Sequence, residues 1–257
     1  QKGRPALSKA ILILINVVLI VGLIFSYTRA AWLSILCATI IGGLVYFKVS
    51  FKLLSFVSIM ALVTLYFQWD NIQMVLAKNT HEHTTEAFDE KIQSAANVTT
   101  DASNLERINR WDCAYHMFKR KPILGFGPGT YAFEYAAFQD PENLTIISTN
   151  FGDMGNAHSE YLSALSESGI IGMLLFIAIV VAVFYSSIRL YYRYDQNNDV
   201  KILIMGIIVS LASYFIHAFL NNYLDTDKAA IPVWAMCAMV VTMTISLDTS
   251  DQSTRKG

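Results

Sequence analysis

The chain has 257 residues, of which 54% are hydrophobic and only 15% charged, and its mean hydropathy is +0.42. Its net charge of −1 gives no support to a nucleic-acid partner. The three cysteines are spaced for neither a disulfide framework nor a zinc site. Because the apolar residues come in runs of about 18 to 25, the length that crosses a bilayer, the sequence predicts an integral membrane protein.

Six apolar segments are long enough for transmembrane helices, and none has the alternating pattern of a barrel strand. An all-α membrane protein is therefore predicted. We divide it into three spans within residues 1–69, a loop at 70–158, three spans within 159–247 and a cytoplasmic tail at 248–257. The predicted spans are 7–27, 30–47, 51–69, 161–188, 202–221 and 230–247.

The distribution of Lys and Arg predicts the orientation of these spans. If the loop at 70–158 faces outward, ten basic residues lie on the face of the two termini, and only Arg29 and Lys228 lie in the short connections opposite. Both termini are therefore predicted to be cytoplasmic. The chain starts with neither a methionine nor a cleavable signal, so we expect it to be the C-terminal part of a longer membrane protein.

The long loop contains one segment with helical periodicity. Between residues 105 and 119, apolar side chains recur at near-helical spacing, and Pro122 is expected to end that helix. The segment 125–129, Gly-Phe-Gly-Pro-Gly, is typical of turns. The basic cluster 119–121 is expected to face lipid headgroups.

His158 is predicted to open a further helix. A continuous helix from residue 158 to 188 would be about 46 Å long, more than the roughly 30 Å of a bilayer core. Its first turns are therefore expected to stand outside the hydrocarbon. Alternatively, the helix breaks near Gly169 and Gly172. In either case His158 is predicted to lie at the outer membrane surface.

Three arginines are candidates for binding phosphate. Arg29 is predicted at the outer end of the first pair of spans, and Arg107 and Arg110 share one face of the loop helix. A guanidinium can bind phosphate through planar, bidentate hydrogen bonds. The alternative is that these arginines reach toward the interface, bind headgroups or are simply solvated.

His158 is the candidate general base, because an imidazole titrates near neutral pH. Taken alone, a single histidine is more often structural or exposed. Asp225 and Glu160 are secondary candidates at the same predicted membrane face. We predict no metal site.

Several short segments resemble the C-terminal half of the O-antigen ligase family, which also includes O-antigen polymerases and protein O-oligosaccharyltransferases. Each segment is short, but they occur in order around one large loop between spans. They are Ser-Tyr-Thr-Arg at 26–29, Arg-x-x-x-Trp at 107–111, Pro-Ile-Leu-Gly-Phe-Gly-Pro-Gly at 122–129, Ala-His-Ser-Glu-Tyr-Leu at 157–162 and Glu-Ser-Gly-Ile-Ile-Gly at 167–172.

The resemblance implies a GT-C-like fold in the bacterial inner membrane and metal-independent, inverting transfer of a glycan. The donor would be an undecaprenyl diphosphate carrier and the acceptor a hydroxyl group at the periplasmic face. By position, Arg29 and Arg107 would bind the diphosphate, with Arg110 beside them, and His158 would take the acceptor proton. The family often has Asn after this histidine, whereas this chain has Ser159.

Other functions stay open at this point. Within the family, the acceptor could be lipid A core, another repeat unit or a protein. Outside it, the chain could belong to a transporter of lipid-linked glycans or to a non-catalytic membrane scaffold. A transporter is expected to carry ionisable residues at mid-span, and the predicted spans 51–69, 161–188 and 230–247 are nearly free of charge.

Overall fold

The computed structural model describes residues 6–26, 28–49, 102–141, 144, 148, 155–194 and 198–256. Within these ranges all regular structure is helical, which agrees with the predicted fold class. The helices are α1 Ala6–Phe25, α2 Arg29–Tyr46, α3 Ala102–Arg120, α4 Tyr131–Glu134, α5 Glu160–Arg193, α6 Asn198–His217 and α7 Asp227–Lys256. A 3-10 turn, Tyr135–Phe138, follows α4 directly.

Four of the described helices are long and apolar enough to cross a membrane, namely Leu7–Phe25, Glu160–Arg193, Asn198–His217 and Asp227–Leu247. They match four of the six predicted spans. The predicted second span corresponds to α2, whose apolar part, Ala30–Tyr46, is shorter than these four. The predicted third span, 51–69, lies outside the described residues. The structure therefore supports a multi-pass membrane protein, and the count of six spans stays a prediction.

The apolar helices pack through small residues. A β-carbon on Gly42 of α2 would lie 2.7 Å from Cγ2 of Val209 in α6, so only glycine permits this approach. Nearby, the hydroxyls of Ser34 and Ser213 lie 3.2 Å apart, and the hydroxyl of Tyr192 donates to the carbonyl of Val45. These contacts hold α2 against α6 and the end of α5.

A second core lies outside the spans and is formed by α3, α4, the 3-10 turn and the residues just before α5. The predicted helix at 105–119 is confirmed as part of α3. Tyr131 and Tyr135 stack with ring centroids 5.3 Å apart, and the Tyr131 hydroxyl donates to the carbonyl of Arg110. The buried members of this core are Cys113, Ala114, Met117, Tyr131, Tyr135 and Ala157.

α5 is broken at Gly169, whose φ of 66° and ψ of −166° are not helical. The break predicted near Gly169 is thus confirmed, and the continuous helix is not. A β-carbon at Gly169 would lie 2.3 Å from the carbonyl oxygen of Ile123, because the segment 122–127 runs against this break. The amide of Ile170 donates to the carbonyl of Pro122, and the amides of Phe126 and Gly127 donate to the carbonyls of Ser166 and Glu167.

The prediction that His158 opens α5 is wrong by two residues. The helix begins at Glu160 and is capped by Ser159, whose hydroxyl accepts a hydrogen bond from the amide of Leu162. Serine is among the preferred N-cap residues because its side chain satisfies a free amide of the first turn. His158 therefore lies in the loop before the helix.

Candidate active site

His158 is held in a strained turn. Its φ of 48° lies in the left-handed region, which only a few per cent of non-glycine residues adopt, with histidine, asparagine and aspartate more frequent there than the rest. Its backbone amide donates to Oδ1 of Asn156 at 3.1 Å, so the asparagine side chain closes the turn. Strain of this kind costs about 1–3 kcal/mol and is concentrated at functional sites. The position of His158 is therefore fixed by this turn and not by the helical backbone of α5.

Arg110 holds the loop that leads to His158. Its Nε donates to Oε1 of Glu106 at 2.7 Å, and its Nη1 donates to the carbonyl of Asn156 at 3.3 Å. The guanidinium also lies over the ring of Tyr135, 5.0 Å from its centroid. Arg110 and Glu106 are both buried, so the pair stands where water cannot replace either partner.

Glu106, the partner of Arg110, is hydrogen-bonded to the loop as well. The second carboxylate oxygen of Glu106 accepts a hydrogen bond from the hydroxyl of Ser148. Gly155, one residue before Asn156, is buried where a β-carbon would lie 2.4 Å from Nη1 of Arg110 and 2.5 Å from Cε1 of Tyr135. The glycine is therefore required by the close approach of the arginine and the tyrosine.

Burial and nearby charges set the protonation of His158. Partial burial, together with the positive charges of Arg110 and Arg107, lowers the pKa of His158 to about 4, while the charge of Glu106 opposes them. The ring is thus neutral at pH 7 and can accept a proton. Both arginines of α3 are therefore near enough to His158 for their charges to act on its ring.

His217, at the end of α6, connects this site to the start of α2. Its Nε2 lies 2.9 Å from the side-chain Nδ2 of Asn221, and its ring stacks on Tyr223. The ring also lies near the backbone of Ala30. Since Asn221 donates to Nε2, the other ring nitrogen carries the hydrogen. The charge of Arg107 acts on this ring too.

Arg29 is the first residue of α2 and directly precedes Ala30. The backbone at this position is therefore next to His217, which in turn is close to Arg107. The side chain of Arg29 lies outside the described part of the structure. The start of α2 and the face of α3 that carries Arg107 thus border the same region, although they are far apart in the sequence.

Glu160 is buried at the start of α5 and joins it to the α6–α7 connection. Its Oε1 accepts hydrogen bonds from the hydroxyl of Tyr214 and the amide of Leu224, both at 2.7 Å. Its own amide donates to the carbonyl of Ala218. This environment favours a positioning role for Glu160, because its carboxylate is already engaged by two donors.

Asp225 lies at the surface of the same connection. Its Oδ2 accepts a hydrogen bond from Nδ2 of Asn222 at 2.8 Å, and the same amide nitrogen lies 3.5 Å from the hydroxyl of Ser163 in α5. Asp225 is solvent-exposed, unlike Glu160. It borders the first turn of α5 and stays a secondary candidate.

Three contributors to the site do not stand out in the sequence: Glu106, Gly155 and His217. Glu106 precedes Arg110 by four residues, the spacing of an ion pair on one helix face, and this signal could have found it. His217 precedes Asn221 by four residues but looks like a packing residue at the end of an apolar run. For Gly155 no local pattern indicates that two side chains from distant elements converge on it.

Among the described residues no group of three side chains is arranged to hold a metal ion. In the described part of the site, the cations whose charges act on His158 are Arg110 and Arg107 of α3.

The comparison with known families decides the family of the chain. The family model described as O-antigen ligase matches residues 14–177, which is more than half of the chain. The chain belongs to the O-antigen ligase family. Membership of this family, with the apolar helices, indicates a multi-pass membrane protein that transfers glycans and acts on lipid-linked glycan substrates. Neither the curated proteins nor the solved structures contain a match.

Proposed function

We propose that this O-antigen ligase family member transfers a glycan from an undecaprenyl diphosphate carrier to an acceptor hydroxyl at the periplasmic face of the inner membrane. The single observation that carries the proposal is a neutral His158, held in a left-handed turn beside two arginines. A neutral imidazole can act as a base, and guanidinium groups can bind the diphosphate of the donor.

In the proposed step, His158 takes the proton of the acceptor hydroxyl while the acceptor oxygen forms a bond to the anomeric carbon. The bond between that carbon and the diphosphate oxygen breaks, and the diphosphate keeps the electron pair. Direct displacement of this kind inverts the anomeric centre. The leaving group gains negative charge in the transition state, so positive groups fixed beside it lower the barrier.

The arginines divide into two roles. Arg107 is half-buried at the border of the site, and Arg29 begins the neighbouring helix α2. We assign diphosphate binding to these two. Arg110 was expected to bind diphosphate as well, but its guanidinium is engaged by Glu106, Asn156 and Tyr135. This environment favours Arg110 as a positioning residue that also contributes positive charge at a distance.

Donor binding would make His158 a stronger base. In the free protein the arginine charges help to keep its pKa near 4. A bound diphosphate places negative charge beside the same arginines and offsets their effect, so the pKa of His158 rises toward its ordinary value of about 6.5. A base whose pKa is closer to the working pH takes a proton more readily. Binding of the donor thus makes His158 a better base for the acceptor hydroxyl.

Transport of lipid-linked glycans is the competing function, and the described spans give it little support. The Asp, Glu, Lys and Arg residues of α1, α5, α6 and α7 lie toward the helix ends, and the central turns of these helices are free of them. Transport pathways usually require ionisable or polar groups at mid-membrane. The polar cluster here lies at one end of the helices.

The proposal is tested with the full chain reconstituted in vesicles, supplied with a lipid-linked glycan and a hydroxyl acceptor. His158→Ala should abolish transfer at unchanged protein level. His116→Ala is the matched control, since His116 is an exposed histidine of α3 paired with Asp112. Transfer by His158→Ala at the rate of the unsubstituted chain would contradict the proposal.

The choice of acceptor in this assay separates the ligase from the other family activities. We propose the ligase-like reaction, with lipid A core as the acceptor. A chain that uses only a second repeat unit would be a polymerase, and one that uses only a protein hydroxyl would be a protein O-oligosaccharyltransferase. In cells, a deletion that removes polymer from lipopolysaccharide and accumulates lipid-linked polymer would support the ligase.

A further inference from the structure

An exposed apolar pair follows α3 and plays no part in the site described above. Ile123 and Leu124 are 62% and 72% exposed, although they belong to an ordered turn. Their backbone is fixed against α5 because the amide of Ile170 donates to the carbonyl of Pro122, and the amide of Phe126 donates to that of Ser166. Two adjacent large aliphatic side chains on an ordered turn are suited to contact with an apolar partner.

The position of this turn along α5 indicates what the partner is. Before the break at Gly169, α5 carries Ser163, Ser166, Glu167 and Ser168, whereas large apolar side chains are exposed from Ile170 onward. The 19 residues from Ile170 to Ile188 span about 28 Å, close to the roughly 30 Å thickness of a bilayer core. Gly169 and Ile170 therefore mark the membrane boundary on this side.

The turn is at the same depth as that boundary. Ile123 and Leu124 directly follow Pro122. The carbonyl of Pro122 accepts a hydrogen bond from the amide of Ile170, and the backbone of Ile123 lies against Gly169. Ile170, Ile171, Leu174 and Leu175, on the first turns of the span, also expose large apolar side chains. The aliphatic pair thus lies beside the start of an apolar span.

Three cations adjoin the pair on the other side. Lys119, Arg120 and Lys121 are consecutive and exposed, and among the described residues no carboxylate forms an ion pair with them. The Nζ of Lys121 lies 4.2 Å from the ring centroid of Phe126. Basic groups next to an apolar insertion match the phosphate layer of an anionic bilayer.

We propose that residues 119–124 form an interfacial anchor: Ile123 and Leu124 insert into the leaflet beside the candidate site, and the three cations bind its anionic headgroups. The anchor fixes the height of α3 above the membrane. Because α3 carries Arg107 and Arg110, it also fixes the height of the site relative to a lipid-linked substrate. This inference stands independently of the reaction proposed above.

A spin label at position 124 tests the insertion in the full chain reconstituted in vesicles containing phosphatidylglycerol. The label is introduced by Leu124→Cys in a Cys37→Ala background, since Cys113 and Cys237 are buried. His116→Cys, on an exposed polar position of α3, is the control. The measurement is the accessibility of each label to oxygen, which partitions into lipid, and to a water-soluble nickel chelate.

We expect the label at 124 to be accessible to oxygen and protected from the nickel chelate, and the label at 116 to show the reverse. High nickel accessibility at 124 would place it in water and overturn the proposal. Low accessibility to both reagents would mean that protein covers the turn, and would overturn it too.

The role of the cations is tested by replacing Lys119, Arg120 and Lys121 with Gln in the labelled chain. In phosphatidylglycerol vesicles we expect the label at 124 to become several-fold more accessible to the nickel chelate. In vesicles of neutral phosphatidylcholine alone, the same substitutions should have little effect. Equal responses in both lipids would refute the binding of anionic headgroups.

Discussion

Gly155 and Arg110 are in contact so close that no β-carbon fits between them: it would lie 2.4 Å from Nη1 of the arginine. The same guanidinium bonds to the carbonyl of Asn156, the residue whose side chain closes the turn at His158. A change at Gly155 is therefore transmitted to the base through two residues.

Gly155→Ala should lower transfer without touching the substrate. The added methyl group must displace Arg110 or the loop, and a shift of about 1 Å in a reacting group costs on the order of a hundredfold in rate. The variant is compared with Gly206→Ala, where the backbone is likewise outside the left-handed region but a β-carbon would have no atom within 4 Å. A loss confined to Gly155→Ala isolates the contact with Arg110, and equal losses in the two variants would refute this role of the contact.

Arg107 and Arg110 should respond differently to replacement by leucine. Arg110→Leu leaves Glu106 buried without its cation, which is expected to cost about 3–5 kcal/mol of unfolding free energy. Arg107→Leu should destabilise less, because Arg107 is half-buried, but should lower transfer about a hundredfold or more. Thermal unfolding in detergent and a transfer assay provide the two readouts.

A second variant at the Glu106–Arg110 pair separates charge from packing. When both residues are replaced by leucine, no charge is left buried, and much of the stability lost in Arg110→Leu should return. If the double variant is less stable than Arg110→Leu, the pair contributes more to the stability of the fold than the neutralisation of two buried charges.

The pH dependence of transfer should differ between free and donor-bound protein. His158 acts as a base only when neutral, so activity falls as the pH drops through its pKa. For kcat/KM, which reports the free protein, the acid limb should lie near the pKa of about 4. For kcat, which reports the complex, it should lie at higher pH, because the diphosphate offsets the arginine charges.

Substitutions of Arg107 test the origin of that shift. Arg107→Leu removes one of the charges that depress the pKa of His158, so the acid limb of kcat/KM should move upward, toward the ordinary histidine pKa of about 6.5. Arg107→Lys keeps the charge and should leave the limb in place. An unchanged limb in Arg107→Leu would show that the charge of Arg107 does not depress the pKa.

His217 should affect donor binding more than chemistry. His217→Leu removes the hydrogen bond to Asn221 and the polar contact near the backbone of Ala30, and so loosens the start of α2, where Arg29 lies. The loss of one hydrogen bond, about 1 kcal/mol, should raise KM for the donor about fivefold. His217→Asn keeps an N–H group near the position of the ring nitrogen that carries the hydrogen. It should therefore recover part of the lost affinity for the donor substrate. If kcat falls and KM does not, the positioning role is wrong.

The sequence alone predicts the helices and the main chemical candidates. Long apolar runs specify helical spans because in lipid the backbone N–H and C=O groups must form hydrogen bonds with each other. The periodicity at 105–119 specifies α3. Arg107, Arg110 and His158 could be selected as residue types suited to phosphate and proton transfer. The closeness of Arg107 to His217 could not be derived, because it depends on how α3 packs against α5 and α5 against α6.

Two local predictions needed three-dimensional information. His158 was expected within a helix, but the side chain of Asn156 and the cap at Ser159 stabilise a turn there instead. Arg107 and Arg110 looked equivalent on one helix face. Only the packing of Tyr135 and residues 155–156 against that face makes Arg110 a buried partner of Glu106 and leaves Arg107 at the border.

The break in α5 has a consequence for motion. In an unbroken helix the amide of Ile170 would bond to the carbonyl of Ser166; here it bonds to Pro122, and the Ser166 carbonyl accepts the amide of Phe126 instead. The main-chain hydrogen bonds lost at the break are thus exchanged for bonds to a distant segment. Straightening α5 would require breaking all of them together. The break is therefore a fixed corner and not a hinge, and we expect the helix segment below His158 to keep its angle through each catalytic cycle.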